Sequence, residues 1–313
     1  MAMRVLVTDG MDAGAVAKLR KDGYEVVEQF YESDALGGAL RDFDAVVIRS
    51  ATKIKQPQID AAKGGRLKLI IRAGVGVDNI DVKYAEAAGI QVRNTPRASS
   101  NAVAELALAL LFACARHLSI AGHTMRENKW EKKAYSKGFE LEGKTMGVIG
   151  YGRIGRMVGE KGQALGMDVL SVVHRNKPEG AECRTMHFVS MDELLAKSDI
   201  IVLCAPGGDK PLVDAGSIAK MKDGVVIINV SRGSNVDEAA LLEALNGGKV
   251  RAAGLDVWLS EKDPNWTLAQ HPSVSCTPHV GADTVKAQKR ISAERSEERR
   301  VGKECRSRWS PYH

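Results

Sequence analysis

Three residues in this 313-residue chain are of types suited to proton transfer and carboxylate binding: Arg232 in NVSRGSNVDE, Glu261 in GLDVWLSEKDP and His279 in CTPHVGAD. A guanidinium grips a planar carboxylate through two parallel hydrogen bonds. An imidazole can take up and return a proton near neutral pH, and a neighbouring carboxylate stabilises the imidazolium and fixes the ring's orientation. Each of the three sits at or just past the end of a predicted strand, where open α/β sheets place their ligands.

A second motif lies upstream. Gly150-Tyr151-Gly152-Arg153-Ile154-Gly155 directly follows the run KTMGVIG and opens the helical stretch RMVGEKGQALG. With a strand before it and a helix after it, G-x-G-x-x-G predicts dinucleotide binding. The first two glycines let backbone approach a pyrophosphate, the helix N-terminus offers free amides, and the third glycine lets helix and strand pack closely. At the end of the next strand an acid would hold a ribose 2′-hydroxyl, whereas an arginine would accommodate a 2′-phosphate. Here Val173 stands in the acid's place and His174 and Arg175 follow. The cofactor reads as NAD or NADP, with these three residues leaning toward NADP.

The elements that must position these groups are written in a repeating rhythm. The runs RVLVTDG, YEVVEQF, FDAVVIRS, LKLIIRAGVG and GIQVRNT alternate with helix-sized intervals, the pattern of strands buried on both faces of a parallel sheet. Ser99, Ser100 and Asn101 offer N-cap chemistry for a helix running to about His117, apolar on nearly every face. Such a helix predicts packing between domains or subunits. The rhythm then restarts with KTMGVIG, DVLSVV, DIIVLCAP, GVVIINVSRG, AAGLDVW and SVSCTPH, six strands and thus the number in a complete dinucleotide-binding sheet.

Composition agrees with two globular α/β domains: 44% of residues are hydrophobic and 27% charged. The longest apolar run, Ala102 to Ala115, contains a glutamate and falls short of the roughly 20 residues that span a bilayer. The N-terminus moves straight into a strand without a signal core, so no membrane segment is expected. Five cysteines lie far apart, with no C-x-x-C pair and no histidines at ligand spacing. That pattern predicts no metal site and a reduced, cytoplasmic setting.

The stretches VIRSATKI, IRAGVGVDNID, NTP, VAELALALL, GYGRIGR, the Arg232 loop and TPHVGA together resemble the D-isomer-specific 2-hydroxyacid dehydrogenases, over residues 4 to about 294. The resemblance implies two doubly wound parallel-sheet domains: a Rossmann dinucleotide-binding domain at 99–283, inserted into a flavodoxin-like substrate domain of 1–98 with a C-terminal helix at 284–294. The active site is expected in the cleft. It further implies hydride transfer between a nicotinamide cofactor and a D-2-hydroxy acid, with His279 as acid and base, Glu261 as its partner and Arg232 as the carboxylate clamp. Cofactor contacts are implied at Val75, Gly150, Gly152, Arg153, Ile154, Gly155, His174, Arg175, Ala205, Pro206, Val230, Ser231, Asp256 and Gly281, with Asp256 near the nicotinamide carboxamide. Substrate contacts are implied at Arg49, Ser50, Arg72, Gly74, Val75, Gly76 and Arg232. The resemblance also implies 3-phosphoglycerate oxidation in serine biosynthesis as the expected reaction, and Arg49 and Arg72 suit such a phosphorylated acid. The alternatives are NADP-linked reduction of glyoxylate or hydroxypyruvate, and a non-enzymatic, corepressor-like sensor of dinucleotide. The expected partners are a small 2-hydroxy or 2-oxo acid and a second copy, paired as a homodimer through the helix near 101–117.

The C-terminal string RSEERRVGKECRSRWSPYH, residues 295–313, has no apolar period and resembles the translation of a sequencing adaptor. It is expected to be foreign to the natural protein. Without it 39 Lys and Arg face 36 Asp and Glu, a net charge of +3 instead of +6, so no nucleic-acid partner is expected.

Overall fold

Apolar runs in the first hundred residues form β1 (Arg4–Val7), β2 (Glu25–Glu28), β3 (Ala45–Ile48), β4 (Leu69–Arg72) and β5 (Gln91–Asn94). They pair in the order β2-β1-β3-β4-β5, every pair parallel. Successive side chains point to opposite faces of a strand, and both faces are covered here. Leu6, Val46, Ile48 and Ile70 pack with Leu36 and Ile59, whereas Val5, Val7, Val47 and Ile71 pack with Val16 and Leu19. Each such side chain contributes ~1.5–3 kcal/mol on burial. This explains why the runs are apolar throughout instead of alternating.

The computed structural model describes residues 2–95, 97–172, 182–183 and 186–291, and these fall into two compact units. One comprises Met1–Ser100 with the segment from Ala282; the other is Asn101–Gly281. Val173, His174, Arg175 and the 295–313 string lie outside the described residues.

In the second unit the strands are β6 (Thr145–Ile149), β7 (Asp168–Val172), β8 (Glu182–Cys183), β9 (Met186–Val189), β10 (Ile200–Leu203), β11 (Val225–Asn229), β12 (Val250–Leu255) and β13 (Val274–Cys276). Their order is β13-β12-β11-β10-β6-β7-β9-β8, parallel apart from the β8–β9 pair. All six expected strands are present, and β8 and β9 are additions. The run MHFV follows polar sequence and opens on Met-His, so it carries no strand signature, yet Met186 and Phe188 are buried. Phe188 meets the ring of Tyr151 edge-on, with centroids 4.8 Å apart, so β9 supports the glycine turn from beneath.

The helix Ser100–Arg116 packs into this unit's core through Ala104, Ala107, Leu111 and Ala115. Its opposite side is exposed in the single chain at Glu105, Ala109, Phe112 and Arg116. Among the described residues no single helix is long and apolar enough to cross a membrane.

Candidate active site

Arg232 lies three residues beyond the end of β11, on a loop whose backbone is held by two asparagines. Asn229 Nδ2 donates to the Arg232 carbonyl at 2.8 Å, while its Oδ1 accepts from the amide and hydroxyl of Ser231. Asn235 Nδ2 donates to Ser231 Oγ at 2.9 Å and to the Ala205 carbonyl at 3.0 Å. Both asparagines, Val230 and Ser231 are buried, and these buried hydrogen bonds hold the loop, although Asn235 Oδ1 itself has no partner among the described residues. The Arg232 loop is thereby tied to the Ala205-Pro206 turn at the end of β10. Neither asparagine was among the residues singled out from the sequence, although both flank the arginine in NVSRGSN.

Glu261 and His279 come from the loops after β12 and β13, and the structure brings them together. His279 Nδ1 lies 2.5 Å from Glu261 Oε1. Their side chains are 33% and 50% exposed, so the pair is reachable by a small solute. Among the described residues Nε2 of the ring has no protein partner. His279 adopts the left-handed conformation, φ 54°, unusual for a residue with a side chain.

Asp256 stabilises that conformation. Its carboxylate, 1% exposed, accepts from Thr277 Oγ1 at 2.6 Å, the Val280 amide at 2.8 Å and the Gly281 amide at 3.0 Å. These donors bracket His279 in the chain. Burial raises the Asp256 pKa above its ordinary value, with the three hydrogen bonds working against the rise. The resemblance places Asp256 at the nicotinamide carboxamide; here its oxygens are directed at the histidine loop.

The Arg232 and Glu261 loops are also in close contact. A Cβ on Gly233 would overlap the carbonyl group of Trp258 and the amide of Leu259. Trp258 is buried and its Nε1 donates to the Thr277 carbonyl at 3.2 Å, which joins the β13 loop to the same assembly.

At the glycine turn each glycine has its own reason. Gly150 has φ +114° and packs against the Cys204–Ala205 backbone, and a Cβ on Gly155 would strike the Gly150 carbonyl. Gly152 faces open space, with nothing within 4 Å of where a Cβ would sit. It is also the N-cap of the helix Arg153–Ala164, where no side chain caps the first amides. Open space over uncapped amides at the positive end of a helix fits a dinucleotide pyrophosphate. Arg153 is exposed there and Ile154 packs on the core. Burial pushes the nearby Cys204 thiol up to about 12, so it stays uncharged.

In the first unit Arg49 and Ser50 follow β3, and Gly74, Val75 and Gly76 follow β4. Asp9 Oδ2 accepts from the Arg49 amide at 2.6 Å and the Thr52 amide at 3.1 Å, and Asn79 Nδ2 donates to both of their carbonyls at 2.7 Å. Thr95 N donates to the Gly74 carbonyl at 3.0 Å and Asn94 Nδ2 to the Val75 carbonyl at 2.6 Å. Both arginine heads rest on groups of the protein itself. The Arg72 guanidinium lies over Gly74, where a Cβ would overlap it, and Nη1 donates to the Ala73 carbonyl. Arg49 forms an ion pair with Asp283.

Comparison with known proteins identifies the family. The family model described as D-isomer specific 2-hydroxyacid dehydrogenase, NAD binding domain, matches residues 108–281. A hydroxypyruvate reductase of Thermotoga maritima is 44% identical over 297 residues, 93% of this chain and 95% of that one. A D-3-phosphoglycerate dehydrogenase of Archaeoglobus fulgidus is 43% identical over 290 residues, 91% of this chain but 54% of the relative, so the chain spans about half that protein's length. Among solved structures, a glyoxylate reductase from Paecilomyes thermophila matches with a TM-score of 0.83 at 30% identity, covering 93% of this chain and 92% of that one.

Proposed function

This chain belongs to the D-isomer-specific 2-hydroxyacid dehydrogenase family and is an oxidoreductase carrying that family's NAD-binding domain; on that premise we propose that it reduces a small 2-oxo acid of the hydroxypyruvate or glyoxylate type. The observation that carries the chemistry is the 2.5 Å contact of His279 Nδ1 with Glu261 Oε1. Glu261 occupies one ring nitrogen and leaves Nε2 to give a proton to the substrate's carbonyl oxygen, or to remove it from the hydroxyl in the reverse direction. It also balances the imidazolium charge. Arg232 holds the substrate carboxylate as a two-pronged clamp. When bound at the glycine turn, the nicotinamide cofactor supplies or accepts the hydride.

The choice of acid rests on likeness. The chain matches a hydroxypyruvate reductase over nearly the full length of both. Phosphoglycerate is the second reading, supported by 43% identity to a dehydrogenase of that acid. For the cofactor we infer NADP, because no acid follows β7 and His174 and Arg175 do. We also infer a homodimer through the helices Ser100–Arg116 and Leu118–Arg126 and the turn that follows them, where Phe112, Leu118, Met125 and Trp130 are exposed.

The test is a panel of hydroxypyruvate, glyoxylate and 3-phosphoglycerate with both NAD(H) and NADP(H). The reading expects the highest kcat/KM for one of the first two, with NADPH. Better turnover of 3-phosphoglycerate selects the second reading, and turnover of none of them removes both.

A further inference from the structure

The strand order of the first sheet reverses between β1 and β3, and open α/β sheets bind ligands beyond the carboxyl ends of their strands at such a switch point. A pocket of about 470 Å³ opens there, lined by Asp9, Asp12, Arg49, Asp283 and Gln288 among others. Its charged side chains are three carboxylates and one guanidinium. Asp9 is occupied in holding the Arg49 loop, and Asp12 caps the helix Ala13–Lys21 through the Ala15 amide. Asp9 and Asn79 clamp the Arg49 backbone, so the arginine's only remaining freedom is where its head points.

The head points to Asp283. Gln288 Nε2 donates to the same Asp283 oxygen at 2.8 Å, from the helical residues 285–291. That helix is itself anchored: Arg290 Nε donates to the Ala98 carbonyl at 2.8 Å, and Ile291 is buried with Ala73 and Ala98. Arg49 and Asp283 are each about one-third exposed, so a ligand entering the pocket would meet both. Asp283 follows His279 by four residues in the chain.

We propose that Asp283 determines the charge of the acid this enzyme accepts: by occupying Arg49 it leaves the pocket net negative, so an uncharged substrate tail is admitted and a phosphate is turned away. The proposal rests on reading the chain as a 2-oxo acid reductase. An unoccupied Arg49 would instead offer a bidentate grip on phosphate oxygens.

The experiment compares kcat/KM for hydroxypyruvate and 3-phosphohydroxypyruvate in the wild type, Asp283→Asn and Asp283→Glu. The wild type should prefer hydroxypyruvate. Asp283→Asn should raise the phosphorylated-to-unphosphorylated ratio on the order of tenfold, chiefly through KM, while Asp283→Glu keeps the wild-type ratio. A change under about twofold in Asp283→Asn, or a wild-type preference for the phosphorylated acid, overturns the proposal. The unmodified protein gives an independent answer. Raising NaCl from about 50 to about 500 mM screens repulsion, so the ratio should rise; a fall would mean that Arg49 grips the phosphate and the proposal is wrong. If the wild type turns over neither acid, the reductase reading fails, and inorganic phosphate still decides the inference: it should raise the Tm of Asp283→Asn and leave the wild type unmoved, and equal shifts would overturn it.

Discussion

Gly233 and Trp258 share one space: the tryptophan's backbone carbonyl occupies the place of a Cβ on the glycine. Through this contact the arginine loop lies directly on the glutamate loop. Gly233→Ala should therefore push the two loops apart, costing about 1–3 kcal/mol of stability as an overpacked substitution does. Activity should fall with it, which kinetics beside a thermal melt would reveal. A variant of wild-type Tm and kcat would show that the two loops move independently.

His279→Ala removes the proton donor and should lower kcat on the order of 10²–10⁴-fold. Cofactor binding, followed by fluorescence titration, should persist. Glu261→Gln should fall between wild type and His279→Ala, because the amide can still orient the ring but cannot balance its charge. Full activity in Glu261→Gln would reduce Glu261 to a surface contact.

Arg232→Lys keeps the charge and loses the planar fork. KM for the acid should rise together with a fall in kcat, since an ammonium cannot replace two parallel hydrogen bonds. Near-normal values of both would place the carboxylate elsewhere.

Asp256 links stability to pH. Its folded pKa is raised by burial, so the native state keeps this proton to higher pH than the unfolded chain does. The stability it contributes is complete below the unfolded value of 3.8 and is lost as pH rises through the raised value. Asp256→Asn lacks this loss, though its amide nitrogen faces the Gly281 N–H and breaks one loop hydrogen bond. The Tm difference between variant and wild type should thus shift in the variant's favour as pH rises from about 4 through the raised value, while kcat drops. A pH-independent difference would contradict the assignment.

Burial pushes the Cys114 and Cys204 thiols up to about 12. In the folded protein at pH 8 an alkylating reagent should spare both and mark Cys276 faster, because it is exposed even though partial burial raises its thiol as well. Rapid labelling of Cys204 on peptide mapping would show that the end of β10 opens.

Much of this architecture was legible because it is encoded locally. A buried parallel strand must be apolar throughout, and the six main strands of the second unit announce themselves in that way. The glycine turn is legible for a similar reason, since strand, glycines and helix are contiguous. What escaped notice depends on residues far apart or of ordinary type. β9 has no β-branched run before Val189, and its evidence is the burial of Met186 and Phe188. Asn229 and Asn235 look like loop residues until their hydrogen bonds to the Arg232 loop are seen. Arg49 and Asp283 are 234 positions apart, so no spacing rule could pair them. The hold of Asp256 on the histidine loop is invisible for the same reason, because its three donors come from a loop 21 to 25 residues later.

The left-handed backbone of His279 carries a consequence for anyone altering this protein. A side chain held at φ 54° stores strain of order 1–3 kcal/mol that glycine would not feel. Selection for heat resistance alone would therefore favour glycine at position 279 and reward the loss of the proton donor. Thermal screening of libraries that include this position would enrich for folded, inert molecules, so turnover has to be scored beside melting temperature from the first round.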